Sequence, residues 1–123
     1  MREKKIAKPG IIIGKPDNGS TIRTFIDGST RSYAVLRTAA VGLGRYMPGW
    51  QWSRHSGPQT GKPSENHIGY IISGYMMVRD PSGNEAKAGP GEAFEISPGS
   101  DAWVFGEETC ISLDFIPLQE YHS

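Results

Sequence analysis

The chain has 123 residues, with 13 basic and 13 acidic side chains and 37% apolar content. A single domain of this size buries roughly two thirds of its unfolded surface. A net charge of zero supplies no field to draw it onto nucleic acid or an anionic membrane.

Sixteen glycines and nine prolines beside that apolar content point to many short strands and turns rather than to disorder. The single cysteine, Cys110, allows no intramolecular disulfide and suits a reducing compartment. The start is basic but leads only to the triplet Ile11-Ile12-Ile13, so no secretory leader is expected. No apolar run approaches membrane-span length. A cytoplasmic protein is the expectation.

Residues 1–19 read as a basic N-terminal arm, and residues 20–123 as one domain. The isoleucine triplet suits an edge strand added to its own barrel or to a partner. No aromatic residues are interleaved with the basic ones, which argues against a nucleic-acid arm.

Residue pattern predicts strands over 21–26, 32–37 and 40–46, with Asp27-Gly28 as a turn. Gly42 and Gly44 lack the third glycine and the following helix of a dinucleotide loop. Glycine at alternate strand positions marks close backbone approach instead. Residues 50–55 read as a strand with Trp50, Trp52 and Arg54 on one face, followed by a breaker-rich loop over 56–64.

A long central strand is expected over 65–79, with Glu65, His67, Gly69, Ile71, Ser73, Tyr75 and Met77 on its odd face. Turns at 81–84, 89–91 and 98–99 separate shorter strands. The last strand, 110–116, carries Ile111, Leu113 and Phe115 on one face. Nowhere do ten residues keep a helical apolar period free of Gly and Pro. The chain is all-β, with strands packed between two sheets.

Three segments carry a resemblance. Gly49-x5-His55, His67-x6-Gly74 and Gly91-x7-Gly99 with its preceding Pro98 resemble the two sequence motifs of the cupin superfamily. The resemblance covers about residues 40–116. It is strongest to small single-domain cupins of the type-2 conserved-barrel kind, through residues 48–55, 67–74 and 101–108. It implies a double-stranded β-helix, or jelly-roll, barrel of about six to eight strands, and a homodimer.

Mapped onto the cupin metal site, His55 takes the first histidine position and Gly57 the second. His67 takes the glutamate position, and Ala102 takes the histidine position of the second motif. The resemblance therefore implies a site held by His55 and His67, with Glu65 or Asp101 supplying a carboxylate. Such a set suits Fe, Zn, Mn or Ni as a divalent ion. Beside it stands a metal-free barrel in which the histidines hydrogen-bond a polar ligand.

Tyr75 is a candidate lining residue, and Trp103 near Asp101 a candidate for closing the barrel mouth. Cys110 has no local basic partner and reads as an inert thiol. The expected function is binding of a small molecule in the barrel. The alternatives are a metal-dependent dioxygenase or isomerase/lyase, or a metal-free dimeric sensory or interaction module.

Overall fold

The computed structural model describes residues 4–8, 10–16, 22–61 and 67–118. Glycine and proline break the chain into short extended pieces, and eleven strands form among those residues. Strands β1 (Lys4–Lys8) and β2 (Ile11–Gly14) pair into a hairpin that joins no other described strand. The two described strands of the arm thus form a ribbon.

The remaining strands are β3 (Arg23–Thr24), β4 (Thr30–Val35), β5 (Ala39–Tyr46), β6 (His67–Ser73), β7 (Tyr75–Arg79), β8 (Glu85–Ala88), β9 (Ala93–Ile96), β10 (Asp101–Phe105) and β11 (Cys110–Pro117). They make a six-stranded sheet in the order β3-β4-β5-β11-β6-β9 and a three-stranded sheet in the order β10-β7-β8. Every pairing is antiparallel. The core lies between the sheets. Tyr46, Trp50, Ile71 and Cys110 pack there with Met76, Ala88 and Val104 from the small sheet. Burial of this apolar surface, at about 25 cal/mol per Å², drives the sheets together.

The expected central strand is two strands, and its break is instructive. Gly74 has φ +78°, and a Cβ there would lie 2.6 Å from the Thr109 carbonyl oxygen and 2.7 Å from Cys110 Cα. Only glycine fits both the backbone angle and the space. The chain leaves the six-stranded sheet at Ser73 and enters the three-stranded sheet at Tyr75. Inward parity reverses across this point. Gly69 and Ile71 are buried on β6, whereas Met76 is buried on β7 and Tyr75 is 42% exposed. The single odd face expected over 65–79 therefore does not exist.

The strand expected at 50–55 is also absent. Gln51 makes one bridge with Trp103, and the chain then coils into a π-helical turn (Trp52–Ser56) followed by the short helix α1 (Gly57–Thr60). The cause is polar. Asp101 accepts hydrogen bonds from Gln51 Nε2 at 2.7 Å, Ser53 N at 3.0 Å and Ser53 Oγ at 2.8 Å. A carboxylate holding three donors bends the segment away from the sheet.

Gly74→Ala should cost about 2–4 kcal/mol, from a left-handed angle plus an overpacked contact. Gly28, at φ +94° with open space around its Cβ position, should cost only about 1–2 kcal/mol when changed to alanine. Urea denaturation of both variants measures the difference.

Candidate functional site

Register across the six-stranded sheet sets two inward rows. Arg31 lies opposite Gly44, and Gly44 opposite Ser112; Tyr33 lies opposite Gly42, and Gly42 opposite Asp114. Asp114 in turn faces Gly69, which faces Phe94 on β9.

The glycines make room for rings. A Cβ at Gly44 would fall 2.4 Å from the Tyr46 ring, one at Gly42 3.1 Å from the Tyr33 ring, and one at Gly69 2.4 Å from the Phe94 ring. The close approach expected of Gly42 and Gly44 is therefore an approach of aromatic side chains lying along the sheet. The space so opened is filled by a charged cluster.

Arg31 Nε donates to Tyr46 Oη at 2.8 Å, and Arg31 Nη1 donates to Tyr33 Oη at 3.4 Å. Arg31 Nε stands 3.7 Å from Asp114 Oδ2, with the two side chains 20% and 5% exposed. The guanidinium also lies 5.6 Å from the ring centres of Phe25 and Tyr46. Ser112, 2% exposed, completes the polar floor.

Burial alone would pull the Arg31 guanidinium down. The Tyr46 and Tyr33 phenols and the Asp114 carboxylate outweigh it and hold Arg31 above the ordinary arginine range. Burial raises Tyr46, against the opposing pull of Arg31. A buried ion pair of this kind adds little net stability, yet removing one partner costs about 3–5 kcal/mol.

A cavity of about 30 Å³ opens onto this cluster, lined by Arg31, Tyr46, Trp52, Phe94, Ser112 and Asp114 among others. It has room for roughly one water. A larger groove of about 620 Å³ runs between β8 and β9, the unpaired edges of the two sheets. Groove and cavity share Phe94, Ile96 and Ser100 as a common wall.

The comparisons fit this architecture. No protein-family model and no curated protein sequence matches the chain. Among solved structures, a sugar phosphate isomerase of the cupin superfamily from Silicibacter pomeroyi aligns with a TM-score of 0.61 at 17% identity, over 85% of this chain and 75% of that one. A double-stranded β-helix protein from Klebsiella pneumoniae aligns with a TM-score of 0.54 at 19% identity, over 84% and 81%. The fold is that of the cupins. KdgF from Halomonas sp. aligns with a TM-score of 0.58 at 18% identity, over 78% and 84%. At such identities the shared property is the barrel alone.

The described residues among those expected to form the cupin site fall in two places. His55 sits on the π-helical turn, where its Nδ1 accepts the Gln51 N–H at 3.0 Å. Asp101 grips the same turn through Gln51 and Ser53. Tyr75 and Trp103 belong to the outer face of the small sheet: Lys87 Nζ stands 5.4 Å from the Tyr75 ring and the Arg79 guanidinium 5.1 Å from the Trp103 ring. His67 opens β6 opposite Ile96, and its side chain lies outside the described residues. Glu65 lies outside them altogether.

Two of the four metal positions carried by the resemblance, Gly57 and Ala102, offer no donor side chain. Among the described residues no three His, Cys, Asp or Glu side chains converge. No described helix is long and apolar enough to cross a membrane.

Sequence reading missed Arg31 and Asp114. Its available signal was polarity at alternate positions of β11, where Cys110, Ser112 and Asp114 are buried and Phe115 is 40% exposed. The apolar side of that strand faces out.

Cys110 is fully buried, and burial, with a smaller contribution from Asp114, pushes its thiol up to about 11. The unfolded thiol ionises near 9, so unfolding is favoured as pH passes from about 9 towards 11. Stability should be flat from pH 7 to 8.5 and fall above it, and Cys110→Ala should flatten part of that fall. Iodoacetamide at pH 8 should label native protein far more slowly than urea-unfolded protein.

Proposed function

We infer that this protein is a small-molecule-binding cupin barrel whose ligand places a carboxylate or hydroxyl group on the Arg31–Asp114 cluster. The observation that carries the reading is the cluster itself. A guanidinium, a carboxylate, two phenols and a hydroxyl occupy a barrel interior that stability alone would fill with apolar side chains.

Arg31 offers a planar fork of donors to an anionic or hydroxylated group, and Asp114 accepts from a hydroxyl. The cavity of about 30 Å³ takes only such a head group. The body of the ligand belongs in the adjoining groove of about 620 Å³, a volume typical of small-molecule sites. Phe94 stands between the two.

Burial keeps the two acidic groups Tyr46 and Cys110 protonated at neutral pH, so neither is a ready nucleophile or base there. Tyr46 is raised by burial and Cys110 titrates only near 11.

A panel of small hydroxy acids, keto acids and polyols tests the reading by thermal shift and calorimetry. At a concentration 100 times Kd a binder should stabilise the fold by about 2.7 kcal/mol. Arg31→Lys keeps a positive charge beside Asp114 but loses the fork, and should weaken binding at least about tenfold. An unchanged affinity in that variant would remove the cluster from the site.

The histidine site remains the competing proposal, since His67 faces the cavity-lining Ile96 across the ladder. Added Zn(II), Mn(II), Ni(II) or Fe(II) should leave the melting temperature within about 1 °C. A rise of several degrees that disappears in His67→Ala would reinstate a metal centre.

A further inference from the structure

We propose that the ligand of this barrel is an amine, with its carboxylate or hydroxyl head on the Arg31–Asp114 cluster and an ammonium group in the groove between β8 and β9. This rests on the reading of the cluster as the head-group site and adds the chemical class of the ligand body.

The charge of the groove comes first. Four carboxylates, those of Asp80, Glu85, Glu92 and Glu95, line it against one ammonium, that of Lys87. The nearby cations are engaged elsewhere. Arg79 Nη2 pairs with Glu85 at 2.7 Å. The Lys87 ammonium lies 4.5 Å from the Phe105 ring centre and 5.4 Å from that of Tyr75, on the outer face of the small sheet.

The remaining carboxylates differ in what they hold. Asp80 accepts from Ser82 N, Asn84 N and Asn84 Nδ2 at 2.9, 2.9 and 3.1 Å. Glu92 accepts from the Gly89 N–H at 2.7 Å. Glu92 and Glu95 meet no cation among the described residues. A cleft of one sign with apolar walls concentrates its field on whatever enters. Val78, Ala86, Ala88, Phe94 and Ile96 supply those walls and suit a methylene chain.

A second observation lies in the small cavity. Ser112 is 2% exposed and lines it, yet its hydroxyl makes no hydrogen bond among the described residues. Buried hydroxyls are almost always paired. Between Ser112 and Arg31 the ladder carries only Gly44, so the unpaired hydroxyl and the guanidinium share one space. A ligand head there meets both.

Cavity and groove are contiguous through Phe94, Ile96 and Ser100, so one molecule spans them. The guanidinium stands at one end and the unneutralised carboxylates at the other, which orients a dipolar ligand. Spacing favours an organic cation over a metal ion. Among the described residues no three carboxylate, histidine or cysteine side chains converge, whereas an alkylammonium needs only one or two carboxylates beside it.

Calorimetry on the full chain with matched acids tests the class. The probes are γ-aminobutanoate, δ-aminopentanoate and ε-aminohexanoate against butanoate, pentanoate and hexanoate, with hexanedioate as the doubly anionic control. The best amino acid should bind about fivefold to twentyfold more tightly than its amine-free partner, since one exposed ion pair contributes up to about fivefold. Hexanedioate should bind more weakly than hexanoate. The double variant Glu92→Gln, Glu95→Gln changes exposed positions and keeps an acceptor for the Gly89 N–H. It should retain the wild-type circular dichroism and lose most of the preference for the ammonium group. Ser112→Ala should weaken every acid about threefold to tenfold.

Acids that bind through Arg31 without gain from the ammonium group overturn this inference and leave the head-group reading standing. A gain that survives the double variant does the same, and unchanged affinity in Ser112→Ala overturns the seating of the head beside that hydroxyl. If no acid of either kind binds, or binding is indifferent to Arg31→Lys, the head-group reading falls and this inference falls with it.

Discussion

The placement of Arg31 inside the barrel governs the interior. Its Nε–H is satisfied by Tyr46, its Nη1 by Tyr33, and its charge by Asp114. Each partner sits on a different part of one sheet face, so β4, β5 and β11 must keep one register for the cluster to close. A slip of one residue would turn Asp114 outward and leave a buried guanidinium without its counter-charge. The polar cluster therefore constrains pairing as strongly as the apolar core does. Trp50 packs beside it, its ring centre 4.3 Å from that of Tyr46 at a tilt of 39°, and donates its indole N–H to Ser56 at 3.0 Å.

On the proposed reading, the same arrangement selects the ligand. The cavity over the cluster is small, and Phe94, Ile96 and Ser100 divide it from the groove. A ligand with a compact polar head and a larger body matches a small polar chamber beside a wide groove. The chemistry available is recognition by hydrogen bonds and charge, in a setting of low dielectric where each is stronger than in water.

Much of the fold was legible in the sequence. Gly-Pro punctuation located most of the turns, period-two alternation gave an all-β chain, and the resemblance of residues 49–55, 67–74 and 91–99 to cupin motifs pointed to the barrel. What was not legible came from single residues acting at a distance. Gly74 reverses the inward parity of the chain, which periodicity cannot show because the residues on either side remain strand-like. Asp101 recruits Ser53 and Gln51 from nearly fifty residues away, turning an apparent strand into a helical turn and taking His55 with it. Asp114 was hidden by a pattern that pointed the wrong way, because its strand hides polar residues and shows apolar ones. The histidines drew attention as residue types. The buried polar cluster that the sequence did not single out is built from an arginine, an aspartate and two tyrosines.

The glycine seats bear on how this chain can diversify. Gly44 with Tyr46, Gly42 with Tyr33, Gly69 with Phe94 and Gly57 with Trp52 are lock-and-ring pairs, each ring occupying the volume that a methyl group on its glycine would need. Neither member changes freely. A larger residue at the glycine evicts the ring, and a smaller residue at the ring leaves bare backbone over a void. Homologous barrels should therefore exchange these positions in concert, with alanine or serine appearing where the opposing aromatic has been lost. The interior is inherited as coupled pairs rather than as independent sites.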